Sequence, residues 1–223
     1  MIACLFDIDG TLLASGGAGK AALESAFTDV FGVPLKVQVP YAGRTDRAIS
    51  RDLLSLHGIE PSLENWEKLR NAYLARLPDS LNKHNGRVLP GITALLAILR
   101  TRKDIALGLL TGNVRAGAQT KLGHFGLFEH FTFGGFGDLH FDRDDVAREA
   151  FAAVKQHVGT HVKPECIWVI GDTPLDIRCA RAIGVNVLAV ATGQHSVDDL
   201  GAASPDLLLR DLSDPAAFLN LLA

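Results

Sequence analysis

The stretch Ile2-Ala3-Cys4-Leu5-Phe6-Asp7-Ile8-Asp9-Gly10-Thr11-Leu12-Leu13 decides how this chain is read. Its first five residues are apolar without interruption, the pattern of a strand buried on both faces of a parallel sheet. Directly after them come two carboxylates one residue apart, then a glycine. Both side chains therefore project into the mouth at the carboxyl end of the strand. Buried carboxylates without partners are costly, so this strand end calls for a metal, a cation or a reaction. A helix cap or Asx-turn is the plain alternative, in which one Asp accepts backbone N–H groups. A calcium loop is excluded, because Gly10 is followed by Thr, Leu, Leu, Ala and Ser rather than by further acidic ligands.

Working outward, further short apolar runs lie at Ile105–Leu110, Phe131–Gly134, Ile167–Ile170 and Val187–Val190, with a weaker one at Leu207–Leu209. Amphipathic stretches separate them: Ile92–Arg100, Val114–Leu122, Asp144–His157 and Leu175–Ile183. Strands alternating with helices predict an α/β fold with a parallel sheet covered on both faces. Such sheets place their active sites beyond the carboxyl ends of the strands. Asp7, Thr111 and Asp172 each fall just past one.

Between the first and second strands the alternation stops. Ala18–Phe31, Asp46–His57 and Ser62–Leu77 carry helical periodicity, with Asp46 and Ser62 read as N-caps and Gly58 as a stop. Three consecutive helices predict a separate helical lobe over 16–87, hinged at Gly16-Gly17 and Asn85-Gly86 and inserted in a core formed by 1–15 and 88–223. Gly16-Gly17-Ala18-Gly19-Lys20 is not a phosphate-binding P-loop: Ala14 stands where the first Gly belongs and Ala21 follows the Lys. The tail over 202–223 reads as a last edge strand and a capping helix starting at Ser213-Asp214-Pro215.

With 22 basic and 25 acidic residues, a net charge of −3 and a pI near 6.2, the chain has no electrostatic footprint for nucleic acid or an anionic membrane. An anionic substrate must then be drawn by a local site. Cys4, Cys166 and Cys179 are far apart and lack metal-ligand spacing, which predicts reduced thiols in a cytoplasmic protein. The apolar N-terminal run is too short for a signal sequence or a membrane span. Nothing in the sequence marks an oligomer interface.

Three later segments bear on the carboxylate pair. Leu110-Thr111-Gly112-Asn113 ends a strand in a hydroxyl and enters a helix, so Thr111, Gly112 and Asn113 can hold a phosphate oxygen or form an ordinary N-cap. Gly171-Asp172-Thr173-Pro174-Leu175-Asp176 again ends a strand in an acid, where Asp172 can ligate a hard cation or cap the next helix. Asp142-Arg143-Asp144-Asp145 offers a cation before a helix. Arg143 can offset charge near a nucleophile, or pair with its acidic neighbours on a solvated turn.

Together these segments resemble the haloacid dehalogenase-like hydrolase superfamily. Asp7 to Thr11 has the Asp-x-Asp-Gly-Thr form of its first motif, Thr111 is similar to its second, and Asp172 with Asp176 to its fourth. The third motif of that family is usually Lys-Pro. Lys163-Pro164 stands too close to Asp172 to serve, which leaves Arg143 in that role, with Lys155 and Arg148 behind it. The resemblance implies a Rossmann-like, doubly wound core with an α-helical cap domain and phosphate chemistry dependent on Mg²⁺. Asp7 would be nucleophile and metal ligand, and Asp9 acid and base, its carbonyl also on the metal. Thr111 and Arg143 would hold the phosphoryl group, Asp172 would complete the metal site, and Asp176 and Thr11 would stand behind it.

Gly43-Arg44-Thr45 is similar to the cap loop that faces substrate in phosphoglycolate phosphatase-like members, which makes Arg44 a candidate for a substrate anion. The expected partner is a small phosphorylated metabolite, phosphoglycolate or a relative. A phosphosugar mutase of the β-phosphoglucomutase type uses the same motifs and stays open, distinguished by an isomerised product. A non-catalytic phospho-ligand scaffold is the remaining alternative, against which the intact Asp7, Asp9, Thr111 and Asp172 weigh.

Overall fold

In a computed structural model, residues 1–222 are described; Ala223, the last residue of the predicted tail, lies outside them. Six strands form one parallel sheet: β1 (Ile2–Phe6), β4 (Ile105–Leu110), β5 (Phe133–Gly135), β6 (Ile167–Gly171), β7 (Asn186–Val190) and β8 (Leu207–Leu209), in the order β5-β4-β1-β6-β7-β8. The interior place of β1 explains its unbroken apolar sequence, since consecutive residues face opposite sides and both sides are covered. Cys4 and Phe6 join a core with Leu95, Leu96 and Leu99 of α4 (Ile92–Thr101) and Leu122 of α5 (Arg115–His124). Ala3 and Leu5 join the opposite core with Val146 and Ala150 of α6 (Arg143–Val158) and Ile177 of α7 (Pro174–Ala182). At roughly 25 cal/mol per Å², burial on two faces makes this strand a main source of stability.

Between Leu13–Ala14 (β2) and Arg87–Val88 (β3), which pair antiparallel, the chain runs through α1 (Ala18–Phe31), α2 (Asp46–Leu56) and α3 (Leu63–Lys83). The two-residue pair was too short to announce itself in the sequence. Leu23 and Phe27 of α1, Leu53 and Leu54 of α2, and Leu69 and Leu77 of α3 make a core of their own, which also takes in Val114 before α5. Helix α3 continues six residues past its predicted end, through Pro78. That ring costs about 3 kcal/mol in a helix interior. It stands on the exposed side here, while Leu77, Ser80 and Leu81 around it are buried and hold the last turns down. Helix α8 (Val197–Ala202) adds Leu200 to the core that holds Ala3 and Leu5, and α9 (Ala216–Leu221) buries Phe218 against Trp168.

Two expectations shift. The strand read at Phe131–Gly134 forms at Phe133–Gly135, because a 3₁₀ turn over Phe128–His130 extends toward it and Phe131 packs on Phe6 instead. The N-cap of α2 is Thr45, not Asp46: the Thr45 hydroxyl accepts the Ala48 N–H at 3.1 Å and donates to the Phe141 carbonyl at 3.3 Å. Thr45 thus both starts α2 and ties the helical insertion to the loop before α6. Thr45→Ala is expected to lower unfolding free energy by about 1 kcal/mol, in line with loss of an N-cap, measured by urea denaturation. No change in the midpoint would contradict this.

Candidate active site

Strands β4, β1 and β6 are neighbours, so the residues that follow them emerge side by side at the carboxyl end of the sheet. The Asp7 N–H donates to the Ile170 carbonyl at 2.9 Å, and the Thr111 N–H to the Gly135 carbonyl at 3.2 Å, which carries sheet pairing up to the site. Carboxylate oxygens of Asp7, Asp172 and Asp176 all come within 4.8 Å of one another, and all three residues are buried.

Arg143 makes this concentration of charge tolerable. Its guanidinium is 3 % exposed, with Nη2 3.0 Å from Asp7 Oδ1 and 2.5 Å from Asp176 Oδ1. It does not pair with its sequence neighbours, since Asp142 and Asp144 bind Arg178 instead. Arg148 pairs with Asp145 at the surface, and Lys155 lies over the Phe151 ring, so both weaker candidates stand outside this cluster. Asp176 uses its second oxygen to accept from the Thr173 N–H and hydroxyl, the capping box of α7. It therefore holds Arg143 and the start of α7 and has no oxygen left over.

One guanidinium among three carboxylates leaves excess negative charge. Burial, only partly offset by Arg143, pushes the Asp7 carboxyl up to about 6. Burial together with Asp176 and Asp7 pushes Asp172 up to about 8, against which it has a single hydrogen bond, from the Thr11 hydroxyl at 3.2 Å. Two glycines wall that carboxylate. A Cβ at Gly10 would lie 2.4 Å from Asp172 Oδ2, and one at Gly193 would lie 1.7 Å from it. Any side chain at either position would displace the group. Thr192 fixes the second wall by donating to the Gly10 carbonyl at 2.6 Å.

Asp9 belongs to a different network. Its Oδ2 accepts from Lys121 Nζ at 2.5 Å and Asn113 Nδ2 at 3.0 Å, and its Oδ1 from the Ser15 hydroxyl at 3.4 Å. Although burial opposes ionisation, the Lys121 charge and these hydrogen bonds hold the Asp9 carboxyl below its ordinary value. Asn113 also donates to Thr111 Oγ1 at 2.8 Å and accepts from Lys121 at 2.6 Å. Across from them, Asp46 of the insertion accepts the Val114 N–H at 2.9 Å, capping α5, which has no cap of its own. Burial pushes Asp46 up to about 6 even with Lys121 nearby.

These residues line a cavity of about 450 Å³ between the carboxyl end of the sheet and the insertion, which Lys20, Tyr41 and Tyr73 close from the insertion side. Asp7, Asp9, Gly112, Asn113, Arg143, Asp172 and Arg44 all line it. Thr111 is fully buried behind Asn113 with its oxygen accepting from that residue. The Gly112 carbonyl receives the Asp46 N–H at 2.8 Å, so it serves docking of the insertion. Arg44 reaches the cavity wall with its guanidinium bonded to Asp52 at 2.6 Å and to the Pro40 carbonyl at 3.1 Å.

Sequence reasoning missed Lys121, Asp46, Ser15, Thr192 and Gly193. For Lys121 a signal existed: it lies beside Leu122 and three residues past Ala118, on the face of α5 that faces inward. A lysine there must meet a buried acid. The others gave no local sign.

Asp7 and Asp172 present hard oxygen donors, with more negative charge than Arg143 offsets and with Asp172 scarcely hydrogen-bonded. This donor set fits a hard divalent cation, and the buried acidic cluster could hold one.

The sheet order and the helical insertion agree with comparison to known proteins. A model of the haloacid dehalogenase-like hydrolases matches residues 1–184, and the chain belongs to that family and is a hydrolase. It is 29% identical to a phosphoglycolate phosphatase of Synechococcus elongatus over 220 residues, covering 96% of this chain and 95% of that one. Its fold is similar to the crystal structure of a predicted phosphoglycolate phosphatase from Haemophilus somnus, with a TM-score of 0.74, 19% identity and coverage of 98% and 97%. It is also similar to that of CbbY from Rhodobacter sphaeroides in complex with phosphate, with a TM-score of 0.76, 20% identity and 97% of each chain covered. Among the described residues no helix is long and apolar enough to cross a membrane.

The raised carboxyls imply a pH dependence. In the metal-free protein Asp172 titrates at about 8 when folded, against roughly 3.9 for an unfolded Asp. The folded state then holds the extra proton between those values, so stability falls as pH rises through that window and levels off above it. Asp7 and Asp46, both near 6, add to the lower part of the fall. Urea denaturation in chelator is expected to show this decline, and Asp172→Asn to flatten it between about pH 6 and 8. Added Mg²⁺, which selects ionised carboxylates, should stabilise more at higher pH. Metal-free stability that is flat or rising over the window would contradict the assignment.

Proposed function

We propose that the protein is a Mg²⁺-dependent phosphatase that hydrolyses a small organic phosphomonoester, phosphoglycolate or a close relative, through an aspartyl-phosphate on Asp7. The observation that supports it most is the division of the two carboxylates: Asp7 sits against Arg143 beside Asp172, while Asp9, two residues on, belongs to the Asn113 and Lys121 network. This division supports nucleophilic attack by one acid and proton transfer by the other.

Asp7 attacks phosphorus in line and the ester bond to the leaving oxygen breaks; Asp9, ionised in the free protein, takes up a proton from solvent as substrate binds and gives it to that oxygen, so an alcohol departs. Asp9, now ionised, takes a proton from water as the water oxygen attacks the phosphorus of the acyl phosphate. Inorganic phosphate leaves, Asp7 is free again and the proton on Asp9 returns to solvent. Arg143 offsets charge on the phosphoryl oxygens and keeps Asp7 in place, and the Asn113 side chain and nearby N–H groups help orient the group. Mg²⁺, held by Asp7, Asp172 and the Asp9 carbonyl, would supply charge stabilisation for the transferring group. Asp176 and Thr11 hold Arg143 and Asp172.

A cavity of about 450 Å³ is larger than phosphoglycolate needs. That room supports a second reading, a phosphosugar mutase, which would return an isomerised sugar phosphate instead of free phosphate. Release of inorganic phosphate from a panel of phosphometabolites, with phosphoglycolate giving the highest kcat/KM, is the outcome expected of the phosphatase. Asp7→Asn should reduce turnover of p-nitrophenyl phosphate by about a thousandfold or more, as loss of a covalent nucleophile does. Retained Mg²⁺-dependent turnover in that variant would overturn the proposal.

A further inference from the structure

Lys121 is 4 % exposed, and a buried ammonium needs full compensation. It comes from the core helix α5, yet the insertion encloses it with one residue from each of its three helices. Gly19 of α1 lies so near that a Cβ there would be 3.1 Å from Lys121 Nζ. Asp46 of α2 faces it with a carboxylate, and Tyr73 of α3 brings its hydroxyl within 4.0 Å of that same Cβ position. A methyl group at position 19 would press the ammonium by a few tenths of an ångström, so the glycine keeps its path to Asp9 uncrowded.

At Asp9, the ammonium and Asn113 Nδ2 both bind Oδ2, at 2.5 and 3.0 Å. Oδ1 has only the long contact from Ser15 and is the oxygen left for proton exchange. Asn113 cannot fix this arrangement alone, because its own carbonyl oxygen is held by Lys121 at 2.6 Å. Lys121 thus anchors both members of the pair.

We propose that Lys121 is a positioning residue for proton transfer, which fixes the Asp9 carboxyl through Oδ2 so that Oδ1 faces the leaving-group oxygen, and which the helical insertion itself holds in place. The proposal rests on the reading of Asp9 as acid and base. Its consequence is selective. An alkoxide leaving group needs a well-aimed proton, whereas p-nitrophenolate departs without one. A substitution that merely loosened the fold would slow both substrates alike.

The test compares kcat/KM for an alkyl phosphate and for p-nitrophenyl phosphate in wild type, Asp9→Asn, Lys121→Met and Lys121→Gln. Lys121→Met is expected to lower the alkyl value about tenfold or more beyond the aryl value, short of the loss in Asp9→Asn. Lys121→Gln, which keeps a donor and most of the volume, should fall between and serves if Lys121→Met does not fold. The Lys121→Met change should add no further discrimination on top of Asp9→Asn. If Asp9→Asn itself slows both substrates equally, the assignment of Asp9 fails and the proposal with it. If Asp9→Asn discriminates and both Lys121 variants slow the two substrates equally, the proposal for Lys121 alone is overturned.

Discussion

The ion pairs from Arg143 to Asp7 and Asp176 are the contact on which the rest of the site depends. Three carboxylates gathered at the mouth of a parallel sheet repel one another in a setting where water cannot screen them. A single guanidinium, always charged, joins two of them through one nitrogen, Nη2, from the start of α6. Taking one partner away from such a buried group costs about 3–5 kcal/mol, because the other is left uncompensated. The charge that Arg143 does not offset raises the Asp172 carboxyl, and a cluster so poised suits a metal better than a self-contained salt bridge.

The insertion does more than roof the cavity. Asp46 caps the core helix α5, Thr45 reaches the loop before α6, and the Gly112 carbonyl receives the Asp46 N–H. The two contacts of Asp46 join the insertion to the segment that presents Thr111, Asn113 and Lys121. Docking of the insertion and the geometry around Asp9 are therefore linked through hydrogen bonds, and movement of one disturbs the other. The same linkage limits Arg44. Its pairing with Asp52 orders the loop that carries it, so it can meet a substrate anion only by sharing or giving up that partner.

Legibility in the sequence tracked how local the physical cause was. The five buried residues before Asp7 reveal β1 because a strand covered on both faces has no polar position to show. The positions of Asp7, Thr111 and Asp172 at strand ends were legible for the same reason. Arg143 could be named but not placed: in the sequence its acidic neighbours Asp142 and Asp144 compete for it, and only the fold gives those to Arg178. Asp46 looked like a cap for its own helix and caps a distant one instead. Lys121 was passed over, since a lysine in an amphipathic helix is ordinarily solvated.

By itself the sequence determined the α/β alternation, the parallel sheet, the helical insertion and the identity of the acids at the strand mouths, since each follows from periodicity or from adjacency along the chain. Tertiary structure decided which cation meets which carboxylate. Arg143 reaches Asp7 across 136 positions and Lys121 reaches Asp9 across 112. The energies of those pairs depend on distance and burial, and neither is set until the sheet order and the docking of the insertion bring the groups together.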